Sequence, residues 1–433
     1  MRIKRPALFL GSLALVLAAS NIVNGDLNTE TFVENYPTVV CPPNLSGLSS
    51  AISVPSSKSK FRSVGAGQVA FRSFGTYRYV PAQSPVIIDA GAVTPILWQT
   101  SSGAWGGATT CNEPSTSQWF VGGTSDVTST GQLIMVNGGL STATADISIW
   151  SENGVQAEKV LTVKANSFIT VALNSLATGA SAIVVHVLAR AGQISTFMLD
   201  TRSRGLKGLG GDLVNSVGAA ATDVFIPAIP QQRSGNKVLT HTLRVLVPGD
   251  ADARISVDLV SPDGSFIPLG LDSVQISRGR VVSIPLAPNI SSAVFGLHIR
   301  SDQPLVAGVY SPTSSLGKSD FVWSTGSPEL GVFSIAVTGI SPTLVFNGDQ
   351  INLTLDVISE KGESKTIRIK GSDIAIYRVP SNTRTVSFTS VSKGVHGAGL
   401  VATTSGYGFF PIVQGSALTR AAIPSSNIRV LNP

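Results

Sequence analysis

Apolar and polar residues alternate along most of the chain, the period of a strand that buries one face. The clearest alternating stretches repeat one another: ISIWSENG at 147–154, VDLVSPDG at 257–264 and LDVISEKG at 355–362. Each is a strand followed by Ser, two turn formers and a Gly suited to positive φ. After that Gly, every copy carries a further strand, a polar turn and a new apolar run. These are VKANSFITV at 163–171, ISRGRVVSI at 276–284 and IKGSDIAIY at 369–377, with VPAQSPVII at 80–88 as a fourth fragment. A later pair follows the same logic, VHVLARAGQI at 185–194 beside LHIRSDQPL at 297–305, and more loosely ILWQTSSGAW at 96–105. The copies stand about 100 residues apart, the size of a two-sheet antiparallel sandwich and too long for a propeller blade or a solenoid rung.

The pattern predicts an all-β chain of tandem antiparallel sandwiches, immunoglobulin-like, with almost no helix after the N-terminal segment. Residues 26–112 form a short disulfide-tied β module, 113–202 a sandwich, 203–328 a linker plus a sandwich, and 329–433 a last sandwich. The connectors are expected at 201–221, rich in Gly and Ser, and at 311–328, with one short helix near 212–217.

Residues 1–25 read as an export signal. Arg2, Lys4 and Arg5 precede an apolar run from Ala7 to Ala19 broken only by Ser12, and small residues follow. As a helix the run spans about 20 Å against roughly 30 Å of hydrocarbon. Cleavage is therefore expected; uncleaved, the segment is an N-terminal signal anchor and the only membrane contact. The chain is expected outside the cytoplasm, extracellular or attached to the cell envelope.

Composition narrows the classes. Charged residues make up 13% and hydrophobic ones 43% of the 433 residues, which excludes a disordered polyelectrolyte. The formal net charge is +6, and removal of Arg2, Lys4 and Arg5 halves it, so no strong field for nucleic acid remains. Glycine shows no Gly-X-Y period, which excludes collagen, and two Cys with four His exclude a multi-zinc protein. In an exported chain Cys41 and Cys111 read as a disulfide; the rival reading is two reduced, buried thiols. Neither has a His neighbour or a Cys-x-x-Cys partner that would give it nucleophilic or metal chemistry.

Catalytic constellations are lacking in the residue pattern. His186 and His298 hold the same place in two copies of the repeat, and His241 and His396 stand singly without ligand spacing. Gly317-Lys318-Ser319 resembles the end of a phosphate loop, yet the required Gly is Pro312. Asp146, Asp258 and Asp356 sit in separate repeats and cannot act together as glycosidase carboxylates. No cofactor and no metal is expected.

The stretch 50–82 differs: it holds no acid, and its bases interleave with aromatics. Arg62, Arg72, Arg78, Phe74, Tyr77 and Tyr79 are the candidate binding residues, able to pair charge with stacking against an anionic polymer. The alternative is a half-buried strand with a solvated basic face. Trp98, Trp105 and Trp119 cluster near Cys111, suited either to sugar stacking or to packing on the disulfide.

Several segments together resemble a known family: CPPN at 41–44, CNEP at 111–114 with QWFVGG at 118–123, FIPAIP at 225–230 and LRVLVPG at 243–249. They resemble the exported actinobacterial domain-of-unknown-function family five-seven-one-nine. The resemblance implies an envelope-associated protein and supplies no catalytic residues. The function expected is a non-catalytic structural or interaction scaffold. A glycan- or anionic-polymer-binding module is the alternative, and an exported carbohydrate-active enzyme the second alternative. Its partners would be cell-wall glycan, an anionic envelope polymer or another envelope protein, and not nucleic acid.

Overall fold

The computed structural model describes residues 38–416 apart from 46, 66–69, 90, 102–104, 235–236, 316–317 and 405. The export segment 1–25 lies outside the described residues. The fold is nearly all β, and the described helix is the single turn Leu173–Leu176. No helix among the described residues is long and apolar enough to cross a membrane.

Residues 117–214 show the repeated unit most completely. Its eight main strands, in chain order, are Ser117–Val121, Gln132–Asn137, Ala143–Ser151, Lys159–Val163, Ser167–Ala172, Ile183–Ala191, Ser195–Arg204 and Lys207–Val214, with the two-residue Gly154–Val155 closing a tight hairpin on the third. One antiparallel sheet runs first–sixth–third–fourth, the other fifth–second–seventh–eighth. Leu133, Met135, Ile147, Ile149, Val185 and Met198 fill the space between them.

The same order recurs in the other three modules. In the third, the sixth and seventh strands fuse into Val294–Ser315, whose first half belongs to one sheet and second half to the other. In the fourth, Thr343–Ser359 and Ser364–Arg378 each serve both sheets. The first module, expected to be a lesser unit, has all eight positions in shorter strands from Val39–Cys41 to Trp105–Thr110. A disulfide joins Cys41, on its first strand, to Cys111, just past its eighth, with Cα atoms 4.4 Å apart.

Three expectations are corrected here. The order is four strands on four, not the immunoglobulin pattern of ABED facing CFG. The segment expected as a linker at 201–221, with a helix near 212–217, is mostly the hairpin Ser195–Arg204 with Lys207–Val214, so residues 203–214 belong to the second module. The connector expected at 311–328 is likewise the hairpin of Val294–Ser315 with Lys318–Thr325. Glycine misled in the first hairpin: Gly210 and Gly211 serve close approach there, not flexibility.

The modules also do not form a string. Val40 and Ile87 of the first pack on Ile134, Val136 and Phe197 of the second. Trp119 and Val184 of the second meet Leu246 and Val306 of the third. Ala228 and Val294 of the third meet Val345, Leu400 and Phe409 of the fourth. Ile96, Trp98 and Ala108 of the first then complete the core of the fourth, and Val93–Thr94 pairs in parallel with Ser334–Ala336. The result is a closed, propeller-like ring in which sheets are buried on both faces. Strands buried twice read as continuous apolar runs, such as Leu133 to Val136 and Leu344 to Phe346. Alternation survives in strands with a less enclosed face, such as 147–151 and 281–286. The length argument excluded a four-stranded blade, but not a ring built of larger units.

The eighth strands meet at the ring's axis. Each pairs through its backbone only with the seventh strand of its own module among the described residues, so its other edge must find partners elsewhere. Asn215 Nδ2 donates to Ala108 O at 3.0 Å and Phe409 O at 2.7 Å, and Thr109 Oγ1 donates to Asn215 Oδ1 at 2.8 Å. One side chain thus ties three modules. The strands lie too close for side chains at several positions: a Cβ on Gly408 would sit 2.6 Å from Ala108 N. The backbone of Gly107 and Ala108 and the buried Trp98 ring leave little room to yield. Gly408→Ala is therefore expected to cost about 3 kcal/mol in chemical unfolding of the whole chain; a loss within 0.5 kcal/mol, the range of neutral surface changes, would contradict the close approach.

Candidate functional site

The six residues singled out between 62 and 79 do not make one surface. Arg62 is buried, and its guanidinium donates to Gly138 O at 2.7 Å and Asn166 Oδ1 at 2.5 Å, both in the second module. Phe74 and Tyr79 pack on Phe61 inside the first module, with ring centroids 4.3 and 4.7 Å away. Tyr77 lies under the Arg384 guanidinium, 5.0 Å from the ring centroid, and Arg78 donates to Gly339 O at 3.1 Å, both contacts reaching the fourth module. Arg72 is exposed, over Phe61. Alternation of base and aromatic marks two seams of the ring here, because a strand facing a neighbouring module has the same pattern as one facing solvent.

The remaining candidates also resolve into packing. His186 stacks on Trp119 at 3.9 Å, and His298 stacks on Phe225 at 4.0 Å in the equivalent register. His396, from the fourth module, covers the other face of Phe225 at 4.1 Å. Trp98, Trp105 and Trp119 are all buried, but in three different clusters, and only Trp105 shares the core of the disulfide. Asp146 pairs with Arg190, Asp258 with Arg300, and Asp356 accepts from Thr366. Asp146 is buried. No group of three or more His, Cys, Asp or Glu among the described residues could hold a metal ion.

The densest electrostatics lie at the axis. Asp200 and Asp212 are cross-strand partners in the second module, and Asp320 comes from the third. Asp212 accepts from Trp323 N at 2.6 Å, while Gly211 N donates to Asp320 Oδ1 at 3.2 Å. Two edge strands that never pair by backbone thus exchange carboxylate–amide bonds. Trp323 Nε1 and Arg202 both donate to Asp200. Nearby Arg244, fully enclosed, donates to Gly123 O and Ile183 O across the next seam and covers Trp323; burial pushes its pKa down to about 9.

One end of the axis opens into a cleft of about 470 Å³ where three modules meet. Ser101 and Trp105 come from the first, Thr130, Thr201, Arg202, Lys207, Gly208 and Gly210 from the second, and Lys318 and Ser319 from the third. Among the described residues three cations and four hydroxyls line it, and no carboxylate does. Lys318 and Ser319 belong to the fragment that resembled a phosphate loop. The structure puts them at the start of a strand instead of a strand–loop–helix. Lys207 went unnoticed because its segment read as a linker. Past the other end of the eighth strands lies a groove of about 390 Å³ whose lining includes Val217, Val224, Leu305, Val306, Pro328 and His396.

Two outcomes follow. Arg62→Ala leaves Gly138 O and Asn166 without their donor and is expected to destabilise by about 2 kcal/mol, whereas Arg72→Ala stays within about 0.5 kcal/mol. Equal effects in denaturant titration would contradict the seam role. The second concerns pH. Burial pushes Asp320 up to about 7, against the backbone N–H groups of Phe321, Gly211 and Gly106. Unfolded, it loses its proton near pH 4, so its stabilisation is fully present below about pH 4 and lost as pH rises through 7. Buried His241, pushed down to about 4, acts oppositely: its stabilisation is lost as pH falls below about 6.5. Asp320→Asn isolates the first effect and should gain about 4 kcal/mol relative to wild type between pH 4 and 7. A difference that does not vary with pH would contradict it.

Comparison with known proteins adds a family and no activity. No curated protein matches the chain. The crystal structure of Thermotoga maritima 1070 is 18% identical over 25% of this chain and 93% of its own, with a TM-score of 0.21. The family of unknown function DUF5719 matches residues 88–375, about two-thirds of the chain: the second and third modules entire and parts of the first and fourth. The protein belongs to that family.

Proposed function

We propose that this protein is a non-catalytic scaffold, exported to the cell envelope or the extracellular space, that works through its surfaces as a structural or interaction partner. The observation that carries the reading is the use of its polar chemistry to join modules. Arg62, Arg78, Arg244, Asp212, Asn215 and Asp320 each bridge one module to another. Such a ring holds its outer surfaces at fixed mutual positions, which suits a scaffold. The Cys41–Cys111 bond supports an oxidising compartment. A second reading, binding of anionic glycan, is favoured by the cation-lined cleft at the axis, in place of the basic and aromatic stretch at 50–82.

Cell fractionation combined with thiol alkylation tests the first reading. The chain is expected in the envelope or medium with both cysteines protected from alkylator until reduced, and in native complexes larger than the chain alone. A cytoplasmic, monomeric chain with two reactive thiols would contradict it.

A further inference from the structure

We propose that the axial cleft is a binding site for a phosphorylated sugar, free or as a unit of a phosphodiester-linked glycan. The inference rests on the second reading above and moves it to a defined place. Lys207 and Lys318 are exposed, and neither has a carboxylate partner among the described residues. They stand at the starts of two eighth strands and line one cavity. Arg202 lines it too, bonded to Asp200 through Nε and Nη2 and stacked over Phe321 and Tyr310, which fixes its orientation and leaves Nη1 for a ligand. A rigid guanidinium with two flexible ammonium groups suits the several oxygens of a phosphate.

The rest of the lining fits a sugar. Ser101, Thr130, Thr201 and Ser319 offer hydroxyls, and Trp105 lies in the wall. The space, about 470 Å³, is far larger than a lone phosphate needs and falls in the range of small-molecule sites, which favour junctions between modules. Two acids adjoin the lining: Asp200 is held by Arg202, and Asp320 sits behind Gly210, where a Cβ would come 2.8 Å from its Oδ1. Of these, Asp320 is the one without a basic partner among the described residues. Pushed up to about 7 by burial, it is partly neutral at physiological pH and repels an anion less than an ordinary carboxylate would.

Isothermal titration of the full chain tests this with glucose 6-phosphate, glucose, inorganic phosphate and a phosphodiester-linked sugar polymer. Glucose 6-phosphate is expected to bind more tightly than inorganic phosphate, more weakly as salt rises, and glucose not at all. The double variant Lys207→Ala, Lys318→Ala should lose about tenfold or more in affinity with its melting temperature unchanged. The control Lys58→Ala, Lys60→Ala should bind as wild type. A polymer that binds far more tightly per sugar phosphate than the monomer marks the glycan as the source; equal affinity marks the free sugar phosphate. Binding that survives the cleft variant, or is lost in the control, overturns the site while leaving the anionic-binder reading standing. Absence of binding by every phosphorylated probe overturns both.

Discussion

Four edge strands converge on one axis, and each brings a row of backbone N–H and C=O groups that no neighbouring strand pairs. Buried polar groups left in that state would cost about 1–3 kcal/mol each, so the ring closes only if side chains take the place of a ladder. Asn215, Asp212 and Asp320 do so, each reaching from its own strand to the backbone of another module. The same closeness excludes side chains from Gly107, whose Cβ would lie 2.8 Å from Asp212 Oδ1, and from Gly408. Small residues and short polar ones at the axis are two consequences of one geometric demand.

The ring in turn sets the character of the sheets. Because modules pack their outer faces on their neighbours, stretches of the second and sixth strands are enclosed on both sides, and there the sequence becomes a run of apolar residues, as in Leu133 to Val136 and Ile183 to Val185. Arginine fills seam positions where a carbonyl of the next module needs a donor, as Arg62 does at Gly138 and Arg244 at Gly123. The charges that stay exposed near the axis, Lys207 and Lys318, are the ones not used for joining modules.

The repeat, the all-β class and the pairing of the two cysteines were legible because each is local or compositional. The third strands 147–151, 257–261 and 355–359 keep polar residues on a partly buried face, at Ser148, Asp258 and Asp356, so enough alternation survives to reveal the copies. The first module concealed its full strand complement because two of its strands, Arg72–Ser73 and Arg78–Tyr79, are two residues long. Ring closure was not legible: Thr94 meets Val413 and Asn215 meets Phe409 across hundreds of residues, and apolar runs look alike whether they face a core or a neighbour. The cleft was hidden for the same reason. Lys207 and Lys318 come together only through the axis, and Gly210 and Gly211, which permit that approach, read as a flexible linker.

Hydrogen exchange on Asn215→Ala addresses the closed axis most directly. If one amide side chain holds three modules, faster exchange should appear together in peptides covering Trp105–Thr110, Lys207–Val214 and Gly406–Pro411, which belong to the first, second and fourth modules. Change confined to Lys207–Val214 would mean that the modules stand independently, and the ring described here would be wrong.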